Sequence, residues 1–214
     1  QSWGTYLGLK DGTTPYFIFT HGMLDPWFHI GHPVKYLKKC IYWYLREATC
    51  LRHARAVFFT SQMEMTVSNT SMPSGYIPGK VVPYGIREPR DPKLIQDLNE
   101  WIPPEALKDK RCLLFMSRIH PKKGCDNLIK AMAKVIVNHP EIHLFMAGPD
   151  QSNWKDELQD MASQLEISDA ITWVGMVEGH KKLSLLHHCE AFILPSHQEN
   201  FGISVVEALA RGLP

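Results

Sequence analysis

Several things are missing from this 214-residue chain, and each absence removes a class of function. No uninterrupted apolar run approaches the roughly 18 residues that a membrane span requires. The opening stretch QSWGTYLGLK holds no apolar signal core. Cysteine is sparse: Cys40, Cys50, Cys112, Cys125 and Cys189 are odd in number, widely spread and never form C-x-x-C. That pattern fits reduced, buried thiols in a cytoplasmic protein rather than a disulfide or zinc framework. Neither sign of charge is in excess. With 23 Lys and Arg against 22 Asp and Glu, the net charge is +1, and no bulk attraction to nucleic acid is expected. Gly79-Lys80 runs into Val81 without the upstream glycine of a Walker A loop, and neither G-x-G-x-x-G nor G-x-S-x-G occurs. There is no tandem repeat and no low-complexity tract. His21, His29 and His32 lie in a proline-broken loop with no fixed ligand spacing. His187, His188 and Cys189 are consecutive on an expected helix and would point apart. No metal site is expected from either group.

What is present is a regular alternation of strand and helix. Hydrophobic residues make up 44% of the chain, enough for a substantial core. PYFIFT (15–20) reads as a buried strand. The segment 32–54 reads as a helix, with Pro33 in its first turn and Val34, Leu37, Ile41, Tyr44/Leu45 and Ala48 near helical spacing. A strand at 54–60 follows, then a short helix with Ser61 as N-cap and Glu64 closing a capping box. KVVPYG (80–85) is a strand ending in a turn. IREPRDPK (86–93) is polar, proline-rich and reads as an interdomain link. Beyond it come strands at 111–117, 141–148, 171–175 and 191–195, separated by helices at 124–139, 152–166 and 179–189. A helix over ISVVEALA (203–210) closes the series. Repeated βα units with near-continuous apolar strands predict a parallel sheet covered by helices on both faces.

In such sheets ligands bind at the carboxyl ends of the strands, so the loops that follow strands carry the chemistry. Three of them are unusual. SRIHPKKG (117–124) gathers Arg118, Lys122 and Lys123 at a helix start, an arrangement suited to a diphosphate and equally to a solvated basic loop. HQENFGISVVEALARG (197–212) carries Glu199 and Glu207 around a helix start, with Gly202 letting a ligand approach the backbone. A carboxylate repels phosphate but accepts from hydroxyls, even two vicinal ones at once, as on a ribose. Taken alone, both glutamates also fit ordinary charges on a helix. FTHGMLDPW (19–27) places His21 at the end of a strand, where the imidazole projects into a cleft or serves as a structural hydrogen-bonding group.

Together these stretches resemble one family. SRIHPKKG with ENFGISVVEALARG, preceded by AFILPS, is similar to the donor-binding signature of glycosyltransferase family 4, the retaining GT-B transferases. FTHGMLDPW resembles that family's His-Gly loop, and VVPYGI the segment where its two domains join. The most specific element is R-x4-K-G followed by E-x7-E in βα context.

The resemblance implies a GT-B type α/β fold of two Rossmann-like domains with parallel sheets. Residues 1–85 would be the end of the amino-terminal, acceptor-side domain, and 86–214 the nucleotide-sugar donor domain. Both are expected to be incomplete, since the chain opens without Met and stops at ARGLP. Arg118 and Lys123 would hold the donor's diphosphate. Glu199 would orient the transferred sugar, with backbone N–H groups of Asn200, Phe201, Gly202 and Ile203 assisting. Glu207 would bind the ribose, and His21 would contact the sugar at the reacting centre from the opposite domain. Ser117 stands where the family often has Gly, beside the phosphates. Met176 and Val177 would neighbour the base.

The expected reaction moves a sugar from a nucleotide diphosphate to an acceptor hydroxyl with retention. No cofactor is expected beyond that donor substrate. The chain contains no D-x-D triplet, which agrees with cationic side chains replacing a metal ion. The acceptor is unknown, with a glycan or a lipid-linked glycan as candidates. The helix from Pro33 carries Lys35, Lys38, Lys39, Arg46 and Arg52 beside Tyr36, Tyr42, Trp43 and Tyr44. It could make a peripheral contact with an anionic membrane or present a solvated face. Two other functions stay open: a nucleotide-sugar-binding module without turnover, and a sugar-nucleotide epimerase of GT-B type.

Overall fold

A computed structural model describes residues 2–24, 33–71, 77, 79–86, 98–102 and 107–214. The chain divides into two compact units, Gln1–Gly85 and Ile86–Pro214. His29, His32, the end of the His-Gly loop and most of the proline-rich link lie outside the described residues.

The first unit contains α1 (Ser2–Leu9), β1 (Phe17–Phe19), α2 (Pro33–Tyr42), α3 (Ala48–His53), β2 (Ala56–Phe59), α4 (Gln62–Ser71) and β3 (Gly79–Val81). Its strands pair in parallel in the order β1-β2-β3, with Phe17 opposite Ala56 and Phe59 opposite Val81. The core gathers Leu24, Trp43, Ala48, Leu51, Val57, Phe59 and Ile77.

Two expectations need correction here. β1 is not buried on both faces, since Phe17 and Phe19 are exposed while Ile18 packs on the core. Among the described residues β1 pairs with β2, and its side chains alternate between the core and the exposed face, so one face is covered rather than two. The long helix is also not one regular turn after another. A π-helical segment, Trp43–Glu47, joins α2 to α3. It buries Trp43 and Glu47, while Val34, Leu37, Ile41, Tyr44 and Leu45 stay exposed. An extra residue in the turn rotates the stripe that spacing alone selects, and the large Trp43 ring takes the core position.

The second unit contains β4 (Arg111–Met116), α5 (Cys125–Ile136), β5 (Ile142–Ala147), α6 (Lys155–Gln164), β6 (Ile171–Gly175), α7 (Gly179–His188), β7 (Ala191–Phe192) and α8 (Ile203–Leu209). The sheet is parallel, in the order β6-β5-β4-β7. Side chains on β4 and β5 alternate between two cores. Leu114, Met116, Phe145 and Ala147 pack with Leu185, Leu186 and Ala208 on one face. Phe115, Leu144 and Met146 pack with Ile129, Leu158 and Ile171 on the other. Both faces are therefore covered, which is why these strands read as unbroken apolar runs. Each fully buried Phe or Leu stabilises the unit by about 1.5–3 kcal/mol.

The strand order positions the site. From β4 the chain moves outward to β5 and β6, then returns to place β7 on the other side of β4. Strand order reverses there, and the loops leaving β4 and β7 start side by side at a switch point. Those are the basic loop and the glutamate loop.

Candidate functional site

The basic loop is built by short-range caps. His120 caps a 3-10 turn, Pro121–Lys123, its Nδ1 accepting from the Lys122 N–H at 3.1 Å. Burial, with Arg118, Lys122 and Lys123 nearby, holds the His120 imidazole below its ordinary range, so it stays neutral and keeps that acceptor. Gly124 sits at φ 67°, and a Cβ there would lie 2.1 Å from the Pro195 carbonyl oxygen. Only glycine permits that approach, which brings the basic loop against the segment after β7. The His197 N–H donates to the Lys122 carbonyl at 3.0 Å and stitches the two loops together.

This junction brings Lys123 to Glu199. Lys123 is 7% exposed, and its Nζ donates to Glu199 Oε2 at 2.5 Å. Ser196 Oγ donates to the same oxygen at 3.3 Å. The Glu199 side chain retains a third of its exposure, so it is not sealed from a ligand. Gly202 follows at φ 71° and opens α8. Its missing Cβ would meet Glu199 Cγ at 3.3 Å and Val205 Cγ2 at 3.2 Å, so glycine leaves the carboxylate room in the turn.

Arg118 remains exposed. Its Nη1 donates to Gln151 Oε1 at 3.1 Å, a neutral partner that leaves the guanidinium charge uncompensated by that contact. Ser117 is half-buried, its N–H bound to the Ala147 carbonyl. The loop after β5 is closed on itself: the Asp150 carboxylate accepts from the N–H groups of Ser152, Trp154 and Lys155.

Glu207 lies on α8 and pairs with Lys182 of α7, Nζ to Oε1 2.7 Å. Each of the two glutamates thus meets a lysine of its own. Asn200, Phe201 and Ile203 surround the start of α8. Val177 packs beside the core of that face, and Met176 is exposed.

Comparison with known proteins places this geometry. Residues 98–214 match the family described as "Glycosyl transferases group 1". This chain belongs to that family. A glycogen synthase of Mycobacterium tuberculosis is 35% identical over 102 residues, covering 48% of this chain and 24% of the relative. The match thus spans about a quarter of that relative's length. A sucrose-phosphate synthase of Thermosynechococcus elongatus has the same fold, with TM-score 0.74 and 20% identity over all of this chain and 52% of its own. Anabaena Alr3699/HepE, solved with UDP and glucose, gives TM-score 0.68 and 21% identity, over 94% of this chain and 52% of its own. The fold is of the GT-B type.

Within this family member, the structure joins Arg118, Lys123 and Glu199 around two adjoining loops and sets Glu207 on the following helix. Lys182, Gln151 and His120 are contacts that the sequence reading missed. Neither Lys182 nor Gln151 stands in a motif, and only the fold brings them near Glu207 and Arg118. His120 could have been found, since a His just before Pro is a ready cap. Among the described residues no three His, Cys, Asp or Glu side chains gather into a metal-holding group. No helix among them is long and apolar enough to cross a membrane.

His21 lies in the first unit, in the turn after β1. Its backbone is left-handed, φ 46°. Its ring stacks with Tyr84 at 5.7 Å and Phe19 at 5.5 Å, and Nδ1 is hydrogen-bonded to the Tyr84 hydroxyl.

Proposed function

We propose that the protein of which this chain is part transfers a sugar from a nucleotide diphosphate to an acceptor hydroxyl. The observation that carries this reading is the Lys123–Glu199 pair at the adjoining ends of β4 and β7, with an exposed Arg118 on the same loop as Lys123. A cation pair meets the charge of a diphosphate, and a half-exposed carboxylate meets sugar hydroxyls. Lys123 turns from Glu199 alone to Glu199 and a phosphate oxygen together. Glu207, steadied by Lys182, accepts from the ribose hydroxyls. Ser117 and the N–H groups of Asn200–Ile203 face the same donor, and His21 contacts the transferred sugar.

The bond from the anomeric carbon to the diphosphate breaks, and a bond to the acceptor oxygen forms. The acceptor proton passes to the leaving phosphate. Arg118 and Lys123 stabilise the negative charge that develops there, the role in which fixed cations contribute most. This chemistry proceeds with retention and without a metal ion. The UDP found with the Anabaena neighbour supports a uridine donor among the candidates.

Calorimetry of the intact protein with UDP-, ADP- and GDP-sugars, alongside product analysis, tests the reading. Binding with transfer, retained configuration and full turnover in EDTA are the expected results. Binding without transfer would mean a binding module, an isomerised donor an epimerase. No binding to any nucleotide sugar would overturn the whole reading.

One observation favours a second property. On α2, Val34, Leu37 and Ile41 are exposed among Lys35 and Lys38. An apolar stripe flanked by lysines suits a peripheral contact with an anionic cytoplasmic bilayer and a lipid-linked acceptor. Sedimentation with phosphatidylserine vesicles, lost on changing both lysines to Glu, is the expected result. No sedimentation by the intact protein would remove it.

A further inference from the structure

Glu64 is a buried carboxylate that the proposed chemistry does not use. It sits in the first turn of α4 and is 5% exposed. Ser61 caps the helix as the spacing predicts, its Oγ accepting from the Glu64 N–H at 3.1 Å. The carboxylate itself reaches further than a capping box requires. Oε2 accepts from the Thr60 N–H at 2.7 Å and the Thr60 hydroxyl at 2.6 Å. Oε1 accepts from the Thr20 hydroxyl and the Gly22 N–H, both at 2.7 Å.

Thr20 and Gly22 flank His21. Thr60 follows β2, the neighbouring strand. One carboxylate therefore ties together the carboxyl ends of β1 and β2 and grips the His21 turn from both sides. His21 needs that grip, because a non-glycine residue at φ 46° stands in a sparsely populated region that its surroundings must impose. The imidazole is exposed, so packing alone does not impose it.

We propose that Glu64 is a positioning residue for His21, holding the turn left-handed so that the imidazole keeps its place against Phe19 and Tyr84, which also stack on each other. The proposal rests on the transferase reading only for its effect on turnover. Its effect on the geometry of His21 stands apart.

Glu64→Gln is the informative change. An amide keeps one accepting oxygen and turns its NH2 toward the other pair of donors. Either the Gly22 or the Thr60 N–H then faces a donor and loses its partner. Val57→Ala is the control, since it weakens the same core without touching the clamp. Two measurements on the intact protein are needed. The first is NMR of 13C-labelled histidine, following contacts from the His21 ring to Tyr84 and Phe19. The second is turnover and affinity with UDP-glucose.

In E64Q the His21 contacts should weaken or vanish while other histidine signals stay, and kcat should fall about 10- to 100-fold. The dissociation constant for UDP should change less than about twofold, because its contacts lie elsewhere. In V57A both the contacts and kcat should match the wild type. Unchanged His21 contacts in E64Q would overturn the proposal, as would an equal loss of contacts in V57A. Failure of the wild type to bind UDP or turn over UDP-glucose would count against the donor reading, while the NMR result would still decide the clamp.

Discussion

Glu64 and Glu199 occupy similar places and lead different lives. Both lie at the carboxyl end of a parallel sheet, just past a strand. Glu64 is buried and spends both oxygens on four donors of its own chain. Glu199 keeps a third of its side-chain surface and receives Lys123 and Ser196 on one oxygen. The difference separates a carboxylate that builds the backbone from one that can still be reached by a ligand. Depth and the number of donors decide which role a carboxylate takes, not its place in a motif.

The largest test of that contrast is Lys123→Ala. If the Lys123–Glu199 junction serves catalysis, sugar transfer should fall by about 10²–10³-fold. Stability should also fall, by about 1–3 kcal/mol in denaturant unfolding, since Lys123 is buried while Glu199 is partly exposed. A large loss of stability with little loss of turnover would make Glu199 a structural carboxylate like Glu64.

Acid sharpens the comparison from the other side. Burial keeps His143 neutral, its pKa pushed down to about 4, with Nε2 on Thr172 Oγ1 at 2.8 Å and Nδ1 without a partner. Its folded pKa lies below the unfolded value near 6.5. Its contribution is therefore complete above that value and is lost as pH falls from about 6.5 toward 4. The loss is on the order of 3 kcal/mol for the second unit. Glu64 behaves with the same sign but lower on the scale. Burial alone would raise its pKa, yet the hydrogen bonds from Thr60, Thr20 and Gly22 outweigh that and hold it below the ordinary carboxylate value. Its contribution fades only as pH falls through the carboxylate range. Hydrogen exchange resolved by unit should show the second unit loosening first on acidification, and His143→Leu should flatten that slope. A first unit that loosens earlier would contradict both assignments.

Glu64→Gln should destabilise the first unit by about 2 kcal/mol, the cost of leaving a buried N–H unpaired. Urea unfolding monitored in that unit would check it. The smallest effect is expected at the ribose end of the site. Glu207→Gln should weaken UDP binding about tenfold, or about 1.4 kcal/mol, with little change in fold stability. Unaltered UDP affinity in calorimetry would remove Glu207 from the donor site.

Much of the fold was legible in the residues. RCLLFM and IHLFMA are buried on both faces, and such strands advertise themselves as apolar runs. Gly202 was read as room for a ligand near a helix start, while the left-handed turns at Gly124 and Gly202 came from the structure. The helix after Pro33 was legible in extent but not in phase, because a π-helical turn is invisible to a fixed period. The first strand was found but its exposure was not, since a short apolar run reads the same whether one face or both are covered. Glu64 was read as a local cap, and its longer reach to Thr20 and Gly22 had no local sign.

The order of the elements, the apolar faces and the residue types at each loop follow from the sequence by itself, because they depend on neighbours a few positions away. Which charges meet was decided only by the tertiary structure. Lys123 reaches Glu199, Lys182 reaches Glu207 and Glu64 reaches the His21 turn across long stretches of chain. Those meetings depend on where β7 inserts beside β4 and where β1 lies beside β2. Parallel strand order is a property of the whole sheet, set by packing on its two faces, and no local pattern encodes it.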